Sequence, residues 1–195
     1  IYIAQPPLYK IKLGKSERYL KDDQERDQFM LSQALVGAAL IPGAGAVPIE
    51  GHALEELAKG FLLAEAVIRR LSKIIDPEAL RALTAGAQID LSTGQSAATS
   101  SVRLEQVMAA ERSKKHGSGG IRIRPWYDEK TERHQIIVER NHHGNIRSCI
   151  VDEDFVLSGD YQQLEKTAQL LIGLVGEGAL VRRADKEQRV TSFGE

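Results

Sequence analysis

Basic side chains are concentrated in two parts of the sequence where they could neutralise phosphate groups. The first group, the N-terminal basic cluster, surrounds a single acidic residue, Glu17, and the second, the central basic cluster, brackets the glycine-rich stretch 116–120. Lys and Arg contacts to phosphates do not depend on base sequence and weaken with salt. For each cluster, a solvated protein surface is the alternative interpretation. The members are Lys10, Lys12, Lys15, Arg18 and Lys21 in the N-terminal cluster, and Arg112, Lys114, Lys115, Arg122 and Arg124 in the central cluster.

Two carboxylates follow an apolar run in a pattern that suggests a metal site. Asp152 and Asp154 come directly after 149–151, and two carboxylates at the end of a strand can hold a divalent cation. With His134 they would suggest a metal hydrolase. The favoured interpretation is an acidic turn leading toward a helix at Asp160.

His134, His142, His143 and Cys149 are the side chains that could bind zinc. Their spacing fits no standard zinc pattern, and neighbouring residues on a strand point to opposite faces, so a polar hairpin tip is favoured. Cys149 is expected to be a small core residue rather than a nucleophile. Residues 43–45 lack the third glycine of a nucleotide-binding loop, and they are interpreted as a linker.

The composition is that of a folded protein without disulfides. The chain has 195 residues, 42% of them hydrophobic, a formal net charge of -1 and one cysteine. A single cysteine excludes an intrachain disulfide and is typical of a reducing cytosol. No apolar stretch is long enough for a membrane span. The absence of an initiating Met suggests a fragment of a longer protein.

The first part of the chain is predicted to contain strands around a basic hairpin. A strand at 1–5 ends at Pro6-Pro7, and alternation at 8–12 and 18–21 predicts a hairpin with one cationic face. Asp22 and Glu25 predict a capping box that starts a helix. A strand follows at 36–41, before a break rich in Gly and Pro.

The remaining pattern predicts α+β structure, with helices plus an antiparallel meander. A polar loop is expected at about 90–100. Helical periodicity and cap residues predict helices at 52–75, 76–83, 101–115 and 160–175. Alternation predicts strands at 121–127, 135–140, 145–151, 179–183 and 189–193, with the start of a helix as the alternative for the last of these segments.

The opening segment carries a specific resemblance. YIAQPPLYK, a Gly-Lys turn and YLKDD occur together over Tyr2–Asp23, and this combination resembles the Toprim part of the B subunit of bacterial DNA gyrases. Weaker likenesses lie at 158–161, 179–183 and 190–193. The resemblance implies remnants of an α/β Toprim domain at 1–40, an insertion domain of proteobacterial type at 41–185, and a return into Toprim at 186–195.

The resemblance also implies a function for the parent enzyme. Gyrases negatively supercoil DNA using ATP and Mg²⁺ and contain two A and two B subunits, so DNA, the A subunit and other domains of the B subunit are the expected partners, in the cytoplasm. The family's ATPase site, metal carboxylates and DNA-cleaving Tyr lie outside this stretch, so no catalytic, cofactor-binding or metal residue is assigned here. The insertion would brace neighbouring domains, contact DNA and couple ATP hydrolysis to strand passage. The alternative is a stand-alone interaction or scaffold module sharing only the opening motif.

Overall fold

A computed structural model describes residues 8–115, 120–142, 145–175 and 178–191, apart from the side chains of residues 24, 113–115 and 142. The predicted strand at 1–5 lies outside these residues. Over the described part, the α+β prediction is confirmed. The elements are β1 (Tyr9–Leu13), β2 (Ser16–Leu20), α1 (Asp23–Leu35), β3 (Ala38–Ile41), β4 (Ile49–Glu50), α2 (Gly51–Leu71), α3 (Pro77–Thr84), α4 (Gly94–Lys115), β5 (Gly120–Asp128), β6 (Arg133–His142), β7 (Asn145–Val151), α5 (Glu153–Val156), α6 (Gly159–Leu171), β8 (Leu180–Arg183) and β9 (Lys186–Arg189).

The chain divides into two compact units. Unit 1 comprises residues 1–58 and 174–195, and unit 2 comprises residues 59–173. These limits do not coincide with the predicted limit at 40/41, which rests on the Gly- and Pro-rich break, or with that at 185/186, which rests on the family resemblance. The assignment of 1–40 and 186–195 to a Toprim domain stays a prediction.

Unit 1 begins with the predicted hairpin. β1 and β2 are antiparallel in a register from Tyr9 opposite Leu20 to Leu13 opposite Ser16. Gly14 has a φ of +60°, a conformation that costs glycine little and other residues more.

Asp22 is the predicted N-cap of α1. Its side chain accepts a hydrogen bond from the Glu25 N–H at 2.8 Å, which satisfies a backbone donor of the first turn. The Glu25 carboxylate accepts from the Lys21 N–H at 2.6 Å, one residue before the cap. Both hydrogen bonds of a capping box are therefore present, but the Glu25 carboxylate bonds to the N–H of Lys21 instead of the N–H of the cap residue Asp22.

A four-stranded antiparallel sheet in the order β4-β3-β8-β9 completes unit 1. β3 pairs with β8 from Ala38 opposite Arg183 to Ile41 opposite Leu180, joining two distant parts of the sequence. β9 lies at Lys186–Arg189, so the strand predicted at 189–193 is wrong over the described residues 190 and 191, and residues 192 and 193 lie outside the described part. Ala184 has a φ of +51° in the tight turn between β8 and β9, so β9 starts sooner than predicted.

In unit 2, α3 has the predicted Asp76 cap, but the predicted start of α4 is wrong. α4 begins at Gly94 rather than Ser101. The Thr93 hydroxyl caps it, accepting from the Ser96 N–H at 3.0 Å. Ser101 donates to the Ala97 carbonyl at 2.8 Å, as hydroxyls in helices can do. A Ser/Thr-rich segment predicted as a loop is therefore helical.

The predicted meander is confirmed as the sheet β5-β6-β7. Ile136 and Val138 of the central strand are 0% and 1% exposed, and they join a core formed with α2, α3, α4 and α6. α6 ends at Leu171 rather than Val175, because Ile172 leaves helical geometry and Gly173 has a φ of +78°. The face of the sheet opposite this core, which carries Trp126 and Ile150, is called the outer face below.

Candidate nucleic-acid interface

The N-terminal basic cluster is exposed, but it does not form one cationic face. Lys10 and Lys12 share a face with Glu17 and Tyr19 because these residues pair across the hairpin. The Lys10 ammonium lies 2.7 Å from the Glu17 carboxylate and 5.6 Å from the Tyr19 ring centre. Arg18 lies on the other face, so the prediction of a single cationic face is wrong.

Arg18, Lys15 and Lys21 surround the hairpin from other directions. The Arg18 guanidinium lies 5.5 Å from the centre of the Phe29 ring in α1, within cation–π range. Lys15 is in the turn and Lys21 follows β2, both exposed. The cluster therefore presents positive charge around the hairpin rather than on one plane, with Lys10 partly neutralised by Glu17.

A polar contact fixes the hairpin against α1. The Tyr9 hydroxyl donates to the Asp23 carboxylate, and Arg26 donates to the Tyr9 oxygen at 3.0 Å. The Arg26 guanidinium also lies 2.8 Å from both Asp23 and Asp27. The hydrogen bond to Asp23 is the main reason that the pKa of Tyr9 is raised. These contacts give the hairpin a defined orientation within unit 1.

Part of the central basic cluster lies on the outer face of the unit 2 sheet. Arg122, Arg124 and Trp126 alternate along β5 on this face. The Arg124 guanidinium is 3.3 Å from the Glu139 carboxylate and 5.3 Å from the Trp126 ring centre. Trp126 is 49% exposed on this face. Among the described residues, Arg122 has no ion-pair partner and is available to an anion.

The other members of the central cluster do not extend this surface. Arg112 lies in α4 with its side chain 22% exposed, and its guanidinium is 2.7 Å from the Glu78 carboxylate. The side chains of Lys114 and Lys115 lie outside the described residues. Of the central cluster, Arg122 and Arg124 are the two whose described side chains lie on one face, Arg122 exposed and Arg124 half-buried.

Arg112 belongs to a charged network that the sequence pattern did not predict. Arg140 donates to both carboxylate oxygens of Asp76 at 2.6 and 2.7 Å and to Glu78 at 3.1 Å. This network joins the start of α3 to β6 and α4. Alternation along β6 places Arg140 on the same face as Ile136 and Val138, but nothing near Arg140 in the sequence identifies its carboxylate partners.

The network shifts the pKa values of its members. Burial alone would raise the pKa of Asp76, but the Arg140 hydrogen bonds and charge, together with the N–H groups of Ala79 and Glu78, hold it below its usual range. Burial likewise opposes a fall in the pKa of Glu78, and bonds from Arg140 and Arg112 outweigh it. Both carboxylates are therefore ionised at neutral pH.

The carboxylates proposed for a metal have structural partners. Asp152 accepts from the Phe155 N–H at 2.9 Å and so caps α5. Glu153 and Asp154 lie 3.2 and 2.9 Å from the Arg133 guanidinium. Within the ranges that the structure describes, no group of three His, Cys, Asp or Glu side chains is placed to hold a metal ion.

The residues considered for zinc are dispersed or lie outside the described side chains. The His134 ring packs against Tyr127 with 5.0 Å between ring centres. Cys149 accepts a hydrogen bond from the Asp76 N–H at 3.2 Å, and burial raises the pKa of its thiol. A raised pKa disfavours the thiolate that a nucleophile needs. The side chain of His142, and all of His143, lie outside the described part.

Comparison with known families explains this combination of a basic hairpin and an inserted unit. The family of the DNA gyrase B subunit insert domain matches residues 38–195, and that of the GyrB hook matches residues 7–35. The chain belongs to the DNA gyrase B subunit family. The hook match covers the hairpin and α1, and the insert-domain match begins at β3.

Individual relatives extend the same conclusion. A DNA gyrase B subunit of Caulobacter vibrioides is 32% identical over 191 residues, covering 97% of this chain and 22% of that protein. One from Rickettsia typhi is 37% identical over 73 residues, covering 37% of this chain and 9% of that protein. A type 2 topoisomerase B subunit of Aquifex aeolicus is 54% identical over 33 residues, covering 17% of this chain and 4% of that protein.

The extent of the alignment with the Caulobacter relative tests the alternative of a stand-alone module. The chain spans about a fifth of the length of the Caulobacter relative, 22%. The likeness covers 97% of the chain, so it is not confined to the opening motif as the scaffold-module alternative requires. Among the described residues, no helix is long and apolar enough to cross a membrane.

Proposed function

We propose that this chain is a non-catalytic part of an ATP-dependent type II DNA topoisomerase that negatively supercoils DNA. The support is membership of the gyrase B family, through matches to both the hook and the insert domain. In this proposal the enzyme works in the cytoplasm as two A and two B subunits. ATP and Mg²⁺ are used by domains outside this chain.

Within that enzyme, the role proposed for the chain is to contact DNA and to support coupling between domains. The observation that carries the DNA contact is the exposed N-terminal basic cluster, held on a hairpin that Tyr9 and Arg26 attach to α1. Lysine and arginine side chains on a hairpin of defined orientation can contact DNA phosphates whatever the base sequence. Arg122 and Arg124, beside the exposed Trp126, form a second, smaller candidate contact on unit 2.

The DNA contact is tested by the salt dependence of binding. In the complete enzyme, the variant Lys12→Ala/Lys15→Ala removes two exposed cations that have no ion-pair partner among the described residues. Removing one lysine–phosphate pair should reduce the slope of log K against log salt by about 0.9, so we expect a reduction of about 1.8 for the two lysines. The matched control, Lys73→Ala/Lys166→Ala, removes two exposed lysines from unit 2 and should leave the slope unchanged. Equal slopes for both variants would refute the contact.

The coupling role is tested by removing the insertion while keeping strands β3, β8 and β9 of the unit 1 sheet; the short strand β4 is removed with the insertion. Ile41 pairs with Leu180, so the chain leaves β3 and returns to β8 at directly opposed residues. An Asn-Gly turn in place of 42–179 can therefore join β3 to β8 as a hairpin. We expect weaker DNA binding and loss of DNA-stimulated ATP hydrolysis and supercoiling. Normal DNA binding, ATP hydrolysis and supercoiling in a folded variant would contradict the proposal. Normal values for these three activities after the wider replacement of 42–184 would contradict it as well.

A further inference from the structure

β7 is an open edge of the unit 2 sheet. It pairs with β6 on one side, and no strand pairs with its other side among the described residues. Residues 145–148 and Ile150 are exposed. An edge strand presents unpaired N–H and C=O groups that can bond to another strand. The edge is thus open to a further strand.

β7 carries an arginine, Arg147, that has no carboxylate partner among the described residues. Arg147 lies directly opposite Arg140, on the core side of the sheet. Like charges in opposed positions are destabilising. Arg140 has its carboxylate partners in Asp76 and Glu78, whereas the exposed Arg147 has none among the described residues. A carboxylate on an added strand, directly across from Arg147, would supply the missing partner.

Apolar side chains flank this position on the outer face. Ile146 and Ile150 are 68% and 49% exposed. Beside the C-terminal end of β7 lies a groove of about 550 Å³, with apolar walls from Leu71, Ile74, Ile75 and Phe155. An added strand could bury apolar side chains against the two isoleucines and extend beyond Val151 along the groove. The edge thus combines one unpaired cation with apolar surface.

We propose that β7 binds an extended protein segment that adds to the sheet as an antiparallel strand. The segment carries an acidic residue opposite Arg147 and apolar residues opposite Ile146 and Ile150. In an antiparallel register this requires the pattern apolar-x-x-acidic-apolar. Main-chain hydrogen bonds supply affinity in such strand addition, and alternate side chains supply specificity. This site is distinct from the proposed DNA contacts of the hairpin.

A labelled peptide tests the proposal directly. The probe is fluorescein-labelled Thr-Val-Ser-Thr-Glu-Val-Thr, and its binding to the full 195-residue chain is measured by anisotropy. We expect Arg147→Glu to weaken binding about fivefold, and a peptide with Lys in place of Glu to show the opposite preference. The matched control is Arg122→Glu, which reverses another exposed arginine at the opposite edge strand, β5. It should leave both peptides unaffected.

The hydrogen-bonding edge is tested separately. Only alternate N–H groups of the peptide can face β7. N-methylation of that set should abolish binding, and N-methylation of the other set should not. Equal tolerance of both peptides, absence of binding, or an Arg147→Glu variant that binds the Glu peptide as tightly as the parent would overturn the proposal. Displacement of the peptide by duplex DNA, with loss of DNA binding in Arg147→Glu, would instead identify Arg147 as a phosphate contact and also overturn it.

Discussion

The charged network around Arg140 should be a major stabilising feature of unit 2, and Arg140→Met tests this. Methionine keeps much of the unbranched apolar stem but removes the guanidinium that bonds to Asp76 and Glu78. Asp76 would then keep its hydrogen bonds from the Glu78 and Ala79 N–H groups, at 2.9 and 3.2 Å. Its negative charge would lose its closest countercharge in a side chain that is 8% exposed.

The size of the effect follows from burial. Removing one partner from a fully buried ion pair costs about 3–5 kcal/mol. Arg140 is 21% exposed and Glu78 is 37% exposed, so water screens part of the interaction. We therefore expect Arg140→Met to lower the free energy of unfolding of unit 2 by about 2–3 kcal/mol at pH 7.

Tryptophan fluorescence during urea unfolding measures this change. Trp126 is the one tryptophan of the chain and lies in β5, which pairs with β6, the strand of Arg140. The control Arg133→Met removes an exposed arginine from the same strand, and its loss should cost less than about 1 kcal/mol. Agreement of fluorescence with circular dichroism checks that unfolding of the unit is two-state.

A second substitution, Asp76→Asn, tests whether Arg140 acts by compensating the charge of Asp76. Asp76→Asn should destabilise the parent chain, yet stabilise the Arg140→Met variant, because it removes an uncompensated charge while keeping an N-cap. Destabilisation of the same size in both backgrounds, or equal losses for Arg140→Met and Arg133→Met, would refute the network as described.

Four further outcomes are expected from urea unfolding. The pKa values of Asp76 and Glu78 are lowered in the folded state, so these carboxylates contribute stability that is present above the ordinary carboxyl pKa of about 4 and is lost as pH falls through the folded values. Arg140→Met should therefore make the free energy of unfolding fall less steeply at acid pH. An unchanged pH dependence would contradict this. Thr93→Ala removes the α4 cap and should cost about 1 kcal/mol, and no loss would mean that the helix does not depend on its cap. Gly86→Ala should cost about 1–3 kcal/mol because φ is +97°, whereas Gly159→Ala, in open space at the start of α6, should cost nothing. Tyr161→Phe leaves the Ile89 N–H without its 2.8 Å acceptor and should cost about 1–3 kcal/mol; a neutral result would show that this N–H finds another partner.

Cap residues in the sequence predict where a helix starts when the hydrogen bonds of its first turn decide that position. Asp76 followed by Pro77 marks the start of α3, and Asp22 marks the start of α1, because both caps act within one turn. Alternation at 121–151 predicted the meander, since a strand with one buried face has a period of two.

The missed features depend on contacts between distant residues or on competing local signals. Nothing near Arg140 in the sequence indicates that its partner is Asp76, so the network was missed. Ser and Thr at 93–101 favour loops and caps as single residues, yet burial of Ala97 and Leu104 favours the helix. Arg18 is close to the lysines in sequence, but its pairing with Ile11 puts it on the face of the hairpin opposite Lys10 and Lys12.

The pairing of β3 with β8 has a consequence for synthesis of the chain. Ala38–Ile41 leaves the ribosome well before its partner Leu180–Arg183, and the delay is on the order of 10 s at bacterial elongation rates. During this interval one edge of a strand containing Ala38, Ala39 and Leu40 has no native partner. The contacts of unit 2 lie within the intervening residues, so that unit can fold first. The pairing of β3 with β8 in unit 1 then has to wait until β8 has been synthesised, which happens only after the whole of unit 2.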